Sequence, residues 1–221
     1  MAHSIAIDGP AGAGKSTIAK LVAKELGFTY VDTGAMFRAM AVYFVDNGIT
    51  PEDEAGISEA CPSVKMSIEY KDGIQQIIVN GVNVTGRLRT EQTGNMASAI
   101  AVYPAVRTKL LYLQREIAAA TDVVMDGRDI GTCVLPDATC KIYLTASVET
   151  RAQRRYKELV QKGEKADIEK IKADIADRDY RDMHRETAPL RKAEDAVTVD
   201  SSDMTVIQVT EAIIKAYKAV I

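Results

Sequence analysis

A glycine-rich segment near the start of the chain has the residue types needed to hold a phosphate tail. Residues 9–16 read Gly-Pro-Ala-Gly-Ala-Gly-Lys-Ser and fit the pattern G-x-x-x-x-G-K-[ST]. Small residues let several backbone N–H groups approach the phosphates at once. We expect Lys15 to reach the β- and γ-phosphates and the Ser16 hydroxyl to be a Mg²⁺ ligand. The predicted triphosphate-binding residues are Gly9, Pro10, Ala11, Gly12, Ala13, Gly14, Lys15, Ser16 and Thr17.

The sequence on either side of this segment supports the prediction. Ser4–Asp8 is a short apolar run typical of a buried strand, and Thr17–Leu26 has apolar residues at helical spacing, with Gly27 as the stop. A loop between a strand and a helix is the context that a phosphate-binding loop requires. Nucleotide-switch GTPases also need an N-K-x-D segment that recognises the base. The sequence lacks this segment, which disfavours a switch GTPase.

Arginine and aspartate occur together in three further segments, residues 32–38, 126–131 and 178–185. The first two follow predicted strands, where ligand sites of open α/β sheets lie. Arginine suits bidentate capture of phosphate. For residues 178–185 taken alone, a solvated helix face is the better explanation. Charges at Arg128 and Asp129, directly after a buried strand, indicate a function.

The number of arginines bears on the nature of the phosphate acceptor. An alcohol acceptor benefits from a carboxylate base that accepts its proton. A phosphate monoester has a second pKa of about 6, so its attacking oxygen is already anionic at pH 7. Catalysis then needs charge screening and alignment more than a base. Several arginines favour the monoester.

Composition narrows the function classes further. The chain has 221 residues, 47% hydrophobic and 27% charged, and a net charge of −3, which disfavours polymeric nucleic acid as a partner. No apolar run is long enough to span a bilayer, and the first residues lack a signal-peptide pattern, so we expect no membrane association. Cys61, Cys133 and Cys140 form no close pair and fit reduced thiols in a cytoplasmic protein. No oligomerisation device is evident, and we expect a monomer.

The remaining elements alternate, which predicts a parallel sheet covered by helices. Strands are expected at residues 28–32, 123–126, 141–145 and 196–200, and helices at 34–47, 91–101, 105–120, 147–162, 168–185 and 206–220. Residues 64–85 differ, because apolar and polar residues alternate there and Asp72-Gly73 and Asn80-Gly81 are turn signals. They predict an inserted antiparallel hairpin or three-stranded sheet.

Taken together, these segments resemble the bacterial cytidylate kinases over nearly the whole chain. The matching segments are IDGPAGAGKST (7–17), DTGAMFR (32–38), VNGVNVTGRLRT (79–90), DGRDIGT (126–132), KIYLTAS (141–147), RAQRRYKEL (151–159) and RDYRDMHRETAPL (178–190). The resemblance implies an α/β fold with a P-loop NTPase-type parallel sheet, flanking helices, a small antiparallel β insert and a short helical lid. It further implies a core of residues 1–33, 90–150 and 186–221, a CMP-binding segment of 34–89, and a lid with its arginine helix at 151–185.

The resemblance implies transfer of the γ-phosphoryl group of ATP to CMP or dCMP with Mg²⁺, in pyrimidine nucleotide metabolism. The CMP phosphate would be held by Arg38, Arg128 and Arg185. Cytosine would be recognised by Thr33, Arg107 and Asp129, with Ser98 nearby, and the ribose by Asp182 aided by Arg178. The catalytic cations would be Lys15 and one or two arginines of the lid, Arg151 and Arg155 foremost, with Arg154 beside them.

Physical chemistry supports the base assignment. Cytosine offers an exocyclic amine donor and ring acceptors, which a carboxylate and an arginine satisfy in turn. Uracil reverses two of those groups, and buried mismatched polar groups discriminate strongly. The chain departs from the family at Phe37, where the family usually has Tyr, so a hydrogen bond from that hydroxyl is lost.

Two alternatives remain open on the sequence alone. One is a kinase for another small acceptor, such as UMP, dTMP or an alcohol metabolite, with Asp129 then acting as the base. The other is a P-loop regulatory protein that binds nucleotide without turnover, although such a protein has no need of the acceptor-side arginines. The β insert is also a candidate protein-docking surface.

Overall fold

The computed structural model describes residues 2–71 and 74–221, so the predicted Asp72-Gly73 turn lies outside the described residues. The chain divides into two compact units, one of residues up to 30 together with 121–221, and one of residues 31–120. The strands are β1 (Ser4–Asp8), β2 (Thr29–Asp32), β3 (Met66–Lys71), β4 (Ile74–Val79), β5 (Val82–Asn83), β6 (Val123–Gly127), β7 (Cys140–Thr145) and β8 (Val197–Asp200). The helices are α1 (Lys15–Leu26), α2 (Thr33–Asp46), α3 (Glu54–Ala60), α4 (Glu91–Ile100), α5 (Pro104–Ala120), α6 (Val148–Gln161), α7 (Ile168–His184) and α8 (Val206–Lys218).

The larger sheet has the strand order β2-β6-β1-β7-β8, and β6, β1, β7 and β8 lie entirely in the first unit. Strand β1 pairs in parallel with β6 on one side and β7 on the other, and β7 pairs in parallel with β8. The register places Asp8 opposite both Gly127 and Tyr143. The carboxyl ends of the three central strands therefore meet at one edge, where the sequence predicted a ligand site.

Burial in the first unit explains why β1 has no alternating pattern. Ile5 and Ile7 are fully buried, because helices cover the central strands of a parallel sheet. They pack in one cluster with Val22, Leu144 and Ile213. Full burial of such a side chain contributes roughly 1.5–3 kcal/mol relative to exposure. This core holds the carboxyl ends of the strands in place.

The second unit contains an antiparallel sheet of order β3-β4-β5 and the helices α2 to α5. Of the two arrangements predicted for residues 64–85, the three-stranded sheet is therefore correct. Asn80 and Gly81 have φ values of 48° and 82°, as a two-residue hairpin turn requires. Met36, Met40 and Phe44 on α2 are fully buried and form the centre of this unit.

The predicted helices and strands of the α/β core are confirmed to within one or two residues at most ends. Among the described residues, helix α3 and three short helical turns, Cys61–Ser63, Thr85–Arg87 and Ile130–Val134, were not predicted. Helix α3 has seven residues and buries only Ile57. Its sequence therefore has no apolar residues at helical spacing from which a helix could be predicted. Residues 130–134 form a π-helical turn, whose local geometry has no simple sequence signal. Among the described residues, no helix is long and apolar enough to cross a membrane.

Candidate active site

The glycine-rich loop connects β1 to α1 and requires glycine where the backbone is tightest. Gly9 has φ of 153°, and a Cβ built on it would lie 1.9 Å from the Leu144 carbonyl oxygen on β7. Gly14, the residue before α1, has φ of 89° in the left-handed region. The first turn of α1 carries no acidic residue. The positive end of the helix dipole and its N–H groups are thus left to stabilise an anion.

Lys15 is buried beside this loop. Its Nζ donates hydrogen bonds to the carbonyl oxygens of Gly9 and Pro10, both at 2.7 Å. Burial and the nearby Arg128 lower the pKa of Lys15 to about 7, while Asp126 and Asp8 act in the opposite direction. The ammonium group therefore lies within a cluster of buried carboxylates that favour its charged form.

Ser16 and Asp126 form a pair of oxygen donors beside the loop. The Ser16 hydroxyl donates to Asp126 Oδ2 at 3.0 Å, and the Tyr30 hydroxyl donates to Asp126 Oδ1 at 2.8 Å. A hydroxyl and a carboxylate are the hard ligands that Mg²⁺ prefers, and Mg²⁺ takes its other ligands from water and substrate phosphates. The described residues contain no group of three or more His, Cys, Asp or Glu suited to a metal. The two donors therefore fit Mg²⁺ bound together with a nucleotide, but not a metal held by protein alone.

Two ion pairs join the loop after β6 to Asp182 on α7 and to Arg185, the residue that follows this helix. Arg128 Nε lies 2.7 Å from Asp182 Oδ2, and Arg185 Nη2 lies 3.5 Å from Asp129 Oδ1. Both carboxylates are buried. Burial alone would raise the pKa of Asp182, but Arg128, Arg178 and Arg185 outweigh it and lower that pKa. The structure thus brings together the five acceptor residues predicted in this unit, with Asp182 ionised among them. They are Arg128, Asp129, Arg178, Asp182 and Arg185.

The three arginines predicted for the lid differ in their surroundings. Arg151 is buried, donates to the carbonyl oxygens of Ala146 and Ala11 at 2.9 and 3.0 Å, and pairs with Asp179 at 2.6 Å. It therefore ties α6 and α7 to the phosphate loop. Arg154 Nη2 donates to the Ser201 carbonyl oxygen at 2.6 Å. Arg155 is half exposed and pairs with Glu158.

The four other predicted site residues lie in the second unit. Thr33 is buried at the first position of α2, and Arg38 lies 3.3 Å from Asp32, whose side chain caps the helix by accepting the Ala35 N–H. Ser98 is half-buried on α4. Arg107 Nη1 donates to the Ala101 carbonyl oxygen at 3.2 Å, and the guanidinium lies 5.9 Å from the centre of the Phe37 ring. Phenylalanine at position 37 therefore keeps a cation–π contact with Arg107.

Sequence reasoning missed three aspartates of this site. Asp126 had a usable signal, because an apolar strand that ends in Asp supplies a Mg²⁺ ligand in many P-loop proteins. Asp179 had a weaker signal, since it lies within the arginine-rich segment of α7. Asp8 accepts backbone N–H groups from Ile130 and Gly131, more than 120 residues away, and no local pattern indicates this.

The parallel sheet, the glycine-rich loop and the Ser16–Asp126 pair define a P-loop protein of the α/β class. A family model described as cytidylate kinase matches residues 5–219. The chain is 48% identical to a cytidylate kinase of Streptococcus sanguinis over 218 residues, covering 98% of this chain and 97% of that protein. It is 46% identical to a cytidylate kinase of Halalkalibacterium halodurans over 211 residues, covering 96% and 95%. The chain belongs to the cytidylate kinase family, as the resemblance predicted.

A solved structure supports the fold alone. An uncharacterized protein from Eubacterium ventriosum superposes with a TM-score of 0.53 at 14% identity, covering 98% of this chain and 99% of that chain. The predicted α/β fold with a parallel sheet and an antiparallel insert is confirmed.

Proposed function

We propose that the chain transfers the γ-phosphoryl group of ATP to CMP or dCMP, giving ADP and CDP or dCDP. Membership of the cytidylate kinase family supports this reaction. The observation that carries it is the Arg128–Asp129 segment, which lies at the same sheet edge as the phosphate loop and is ion-paired to α7. An oxygen of the CMP phosphate attacks the γ-phosphorus, and the bond from that phosphorus to the β,γ-bridging oxygen breaks. ADP leaves with the electron pair of that bond.

The donor side is explained by the phosphate loop and its cations. Backbone N–H groups of residues 9–17 would hold the ATP phosphates at the positive end of the α1 dipole. Lys15, Arg151 and Arg155 would screen charge on the transferring group. Arg151 would act from a fixed position, because its guanidinium is already bound by the Ala11 carbonyl and Asp179. Arg155 is half exposed and would approach only when the lid closes.

Ser16 and Asp126 would hold Mg²⁺. When bound, the ion neutralises charge on the ATP phosphates. The Ser16 hydroxyl and the Asp126 carboxylate already face each other at 3.0 Å, so both oxygens are placed on one side of the loop.

On the acceptor side, the residues of the first unit are held by one another through ion pairs. Arg128 and Arg185 would bind the CMP phosphate, and ionised Asp182, aided by Arg178, would accept hydrogen bonds from the ribose. Buried Asp129 would accept the cytosine amine. From the second unit we propose Arg38 for the phosphate and Thr33, Ser98 and Arg107 for the base. No general base is required, because the acceptor phosphate is already anionic at pH 7.

We further propose the arrangement implied by the family resemblance. Residues 34–89 form the CMP-binding segment, residues 151–185 form the lid and its arginine helix, and the remainder forms the core. The protein acts as a monomer in cytoplasmic pyrimidine nucleotide metabolism. Free thiols at Cys61 and Cys140 support that compartment.

The proposal is tested by ADP formation from Mg-ATP with CMP, dCMP, UMP, dTMP, AMP and shikimate offered separately. We expect rapid turnover with CMP and dCMP and little with the others. Asp129→Ala should reduce the preference for CMP over UMP by about 10-fold or more, because the amine acceptor is lost. Equal or faster turnover with another acceptor would contradict the cytosine assignment. ATP binding without any turnover would instead favour a regulatory P-loop protein.

A further inference from the structure

Asp8 is a buried carboxylate for which the reaction described above has no use. It is the last residue of β1 and only 4% exposed. Its Oδ1 accepts the Ile130 N–H at 2.8 Å, and its Oδ2 accepts the Gly131 N–H at 2.7 Å. Burying a carboxylate is costly even when it is hydrogen-bonded. The two hydrogen bonds that Asp8 accepts therefore indicate a role beyond packing.

The two hydrogen bonds connect the donor loop to the acceptor loop. On one side, Asp8 is bonded directly to Gly9, where the phosphate loop begins against the Leu144 carbonyl. On the other side, Ile130 and Gly131 directly follow Arg128 and Asp129, which pair with α7. The pairing of β1 with β6 ends at Asp8 and Gly127, so the sheet does not hold the loop that follows β6. The Asp8 carboxylate extends the contact between β1 and this loop to Ile130 and Gly131, three and four residues beyond Gly127.

We propose that Asp8 is a positioning residue that fixes the loop of residues 128–131 relative to the phosphate loop, so that donor and acceptor phosphates are aligned for transfer. The inference rests on the proposed phosphorylation of CMP. In-line transfer depends steeply on alignment, because a displacement of about 1 Å costs on the order of 100-fold in rate.

The chemistry of the two contacts requires aspartate and not its amide. Two N–H donors need two acceptor oxygens, and a carboxylate supplies both. In asparagine one of the two becomes an NH₂ group, which would face a backbone N–H donor. Burial raises the pKa of Asp8 to about 6, against the lowering effect of the Gly131 and Ile130 amides. Asp129 raises it further and Lys15 lowers it, and the group is ionised above that value.

The test compares Asp8→Asn with the unmodified protein and with Asp122→Asn. Asp122 is a matched control, because its carboxylate also accepts a backbone N–H, from His3, but at the opposite end of the sheet. In D8N we expect kcat with CMP to fall about 10- to 100-fold while the dissociation constant for ATP changes less than about threefold. Amide hydrogen exchange at Ile130 and Gly131 should accelerate about 10-fold or more. D122N should stay within about twofold of the unmodified protein in all three quantities.

Unchanged kcat in folded D8N would overturn the proposal. So would equal losses of kcat and ATP affinity together with a lower Tm, since these indicate a general loss of folding. If D8N does not fold, Gly131→Ala decides. A Cβ at Gly131 would lie 3.2 Å from Lys141 Cδ, closer than most Cβ contacts, and 3.4 Å from Asp8 Oδ2, so it crowds the residue whose amide Asp8 accepts and leaves the charge in place. A fall in kcat at constant ATP affinity supports the proposal, and an unchanged kcat overturns it.

Failure of the proposed function is distinguishable from failure of this inference. If the unmodified protein does not phosphorylate CMP, the proposed function is wrong. Amide exchange at residues 130 and 131 needs no acceptor and still tests the contact. Exchange that is equal in D8N and the unmodified protein then contradicts the positioning role directly.

Discussion

At the scale of single residues, the site depends on ionisable groups held away from water. Asp8, Lys15, Asp126, Asp129 and Asp182 are all buried, and each forms at least one hydrogen bond or ion pair. Burial removes the favourable hydration free energy of such groups, and their partners offset only part of that loss. They are therefore retained for what they position or bind and not for stability. Their ionisation should therefore be visible in the stability of the protein.

The pKa of Asp8 predicts a dependence of stability on pH. The unfolded chain releases this proton near pH 3.8, whereas the folded protein holds it until about pH 6. The folded state binds more protons between these values, so the free energy of unfolding falls as pH rises through the window. Relative to D8N, we expect the unmodified protein to lose stability on the order of 3 kcal/mol between pH 4 and pH 6, and to change little above.

Urea unfolding of both proteins at several pH values measures this difference. The comparison cancels the carboxylates that do not interact with Asp8, and Asp129 and Lys15 are the two charged groups that do. A difference that does not vary with pH, or that grows in favour of the unmodified protein as pH rises, would contradict the assigned burial of an ionisable Asp8.

Residues of the site were predictable where their signal was local. The phosphate loop was found because its glycines, Lys15 and Ser16 must be contiguous to surround a phosphate. Asp8 and Asp179 were not found, because their partners lie elsewhere in the chain. Asp126 contacts Ser16 across 110 residues, and only its position at the end of an apolar strand could have indicated it.

At the scale of elements, the phosphate loop is shaped by contact with a neighbouring strand. Gly9→Ala would direct a Cβ at the Leu144 carbonyl oxygen of β7, which cannot move without disturbing the sheet. We expect a loss of about 2–4 kcal/mol in the free energy of unfolding and weaker ATP binding. Urea unfolding and ATP titration measure the two effects.

Gly86→Ala is the control for this substitution. A Cβ at Gly86 would meet no atom within 4 Å, and we expect a change within about 0.5 kcal/mol. If Gly9→Ala were as harmless as Gly86→Ala, the close approach of the loop to β7 would be wrong.

Helices and strands were predictable where burial imposes a regular spacing on their apolar residues. The strands and long helices of the core follow from apolar runs and from apolar residues at helical spacing. The turn at residues 130–134 is held by the amides that Asp8 accepts and by hydrogen bonds from Cys133 and Val134 to the Asp129 carbonyl. These contacts depend on the assembled sheet, so the turn could not be predicted from its own residues.

At the scale of the whole molecule, the fold class was predictable and the strand order was not. Alternating strands and helices indicate a parallel sheet, because parallel neighbours need a crossover between them. The order β2-β6-β1-β7-β8 places residues 123–127 beside β1 although some 115 residues separate them. Only packing of the complete chain selects such a pairing. The division into two units likewise depends on long-range contacts.

The central claim is that the γ-phosphoryl group of ATP is transferred to the phosphate of CMP. The most direct measurement follows ATP labelled at the γ-phosphate in the presence of CMP and Mg²⁺ and identifies the labelled product. We expect the label to appear in CDP, in amounts equal to the ADP formed, with little in inorganic phosphate. Label that appears only in inorganic phosphate, or that remains in ATP while both nucleotides are bound, would contradict the account.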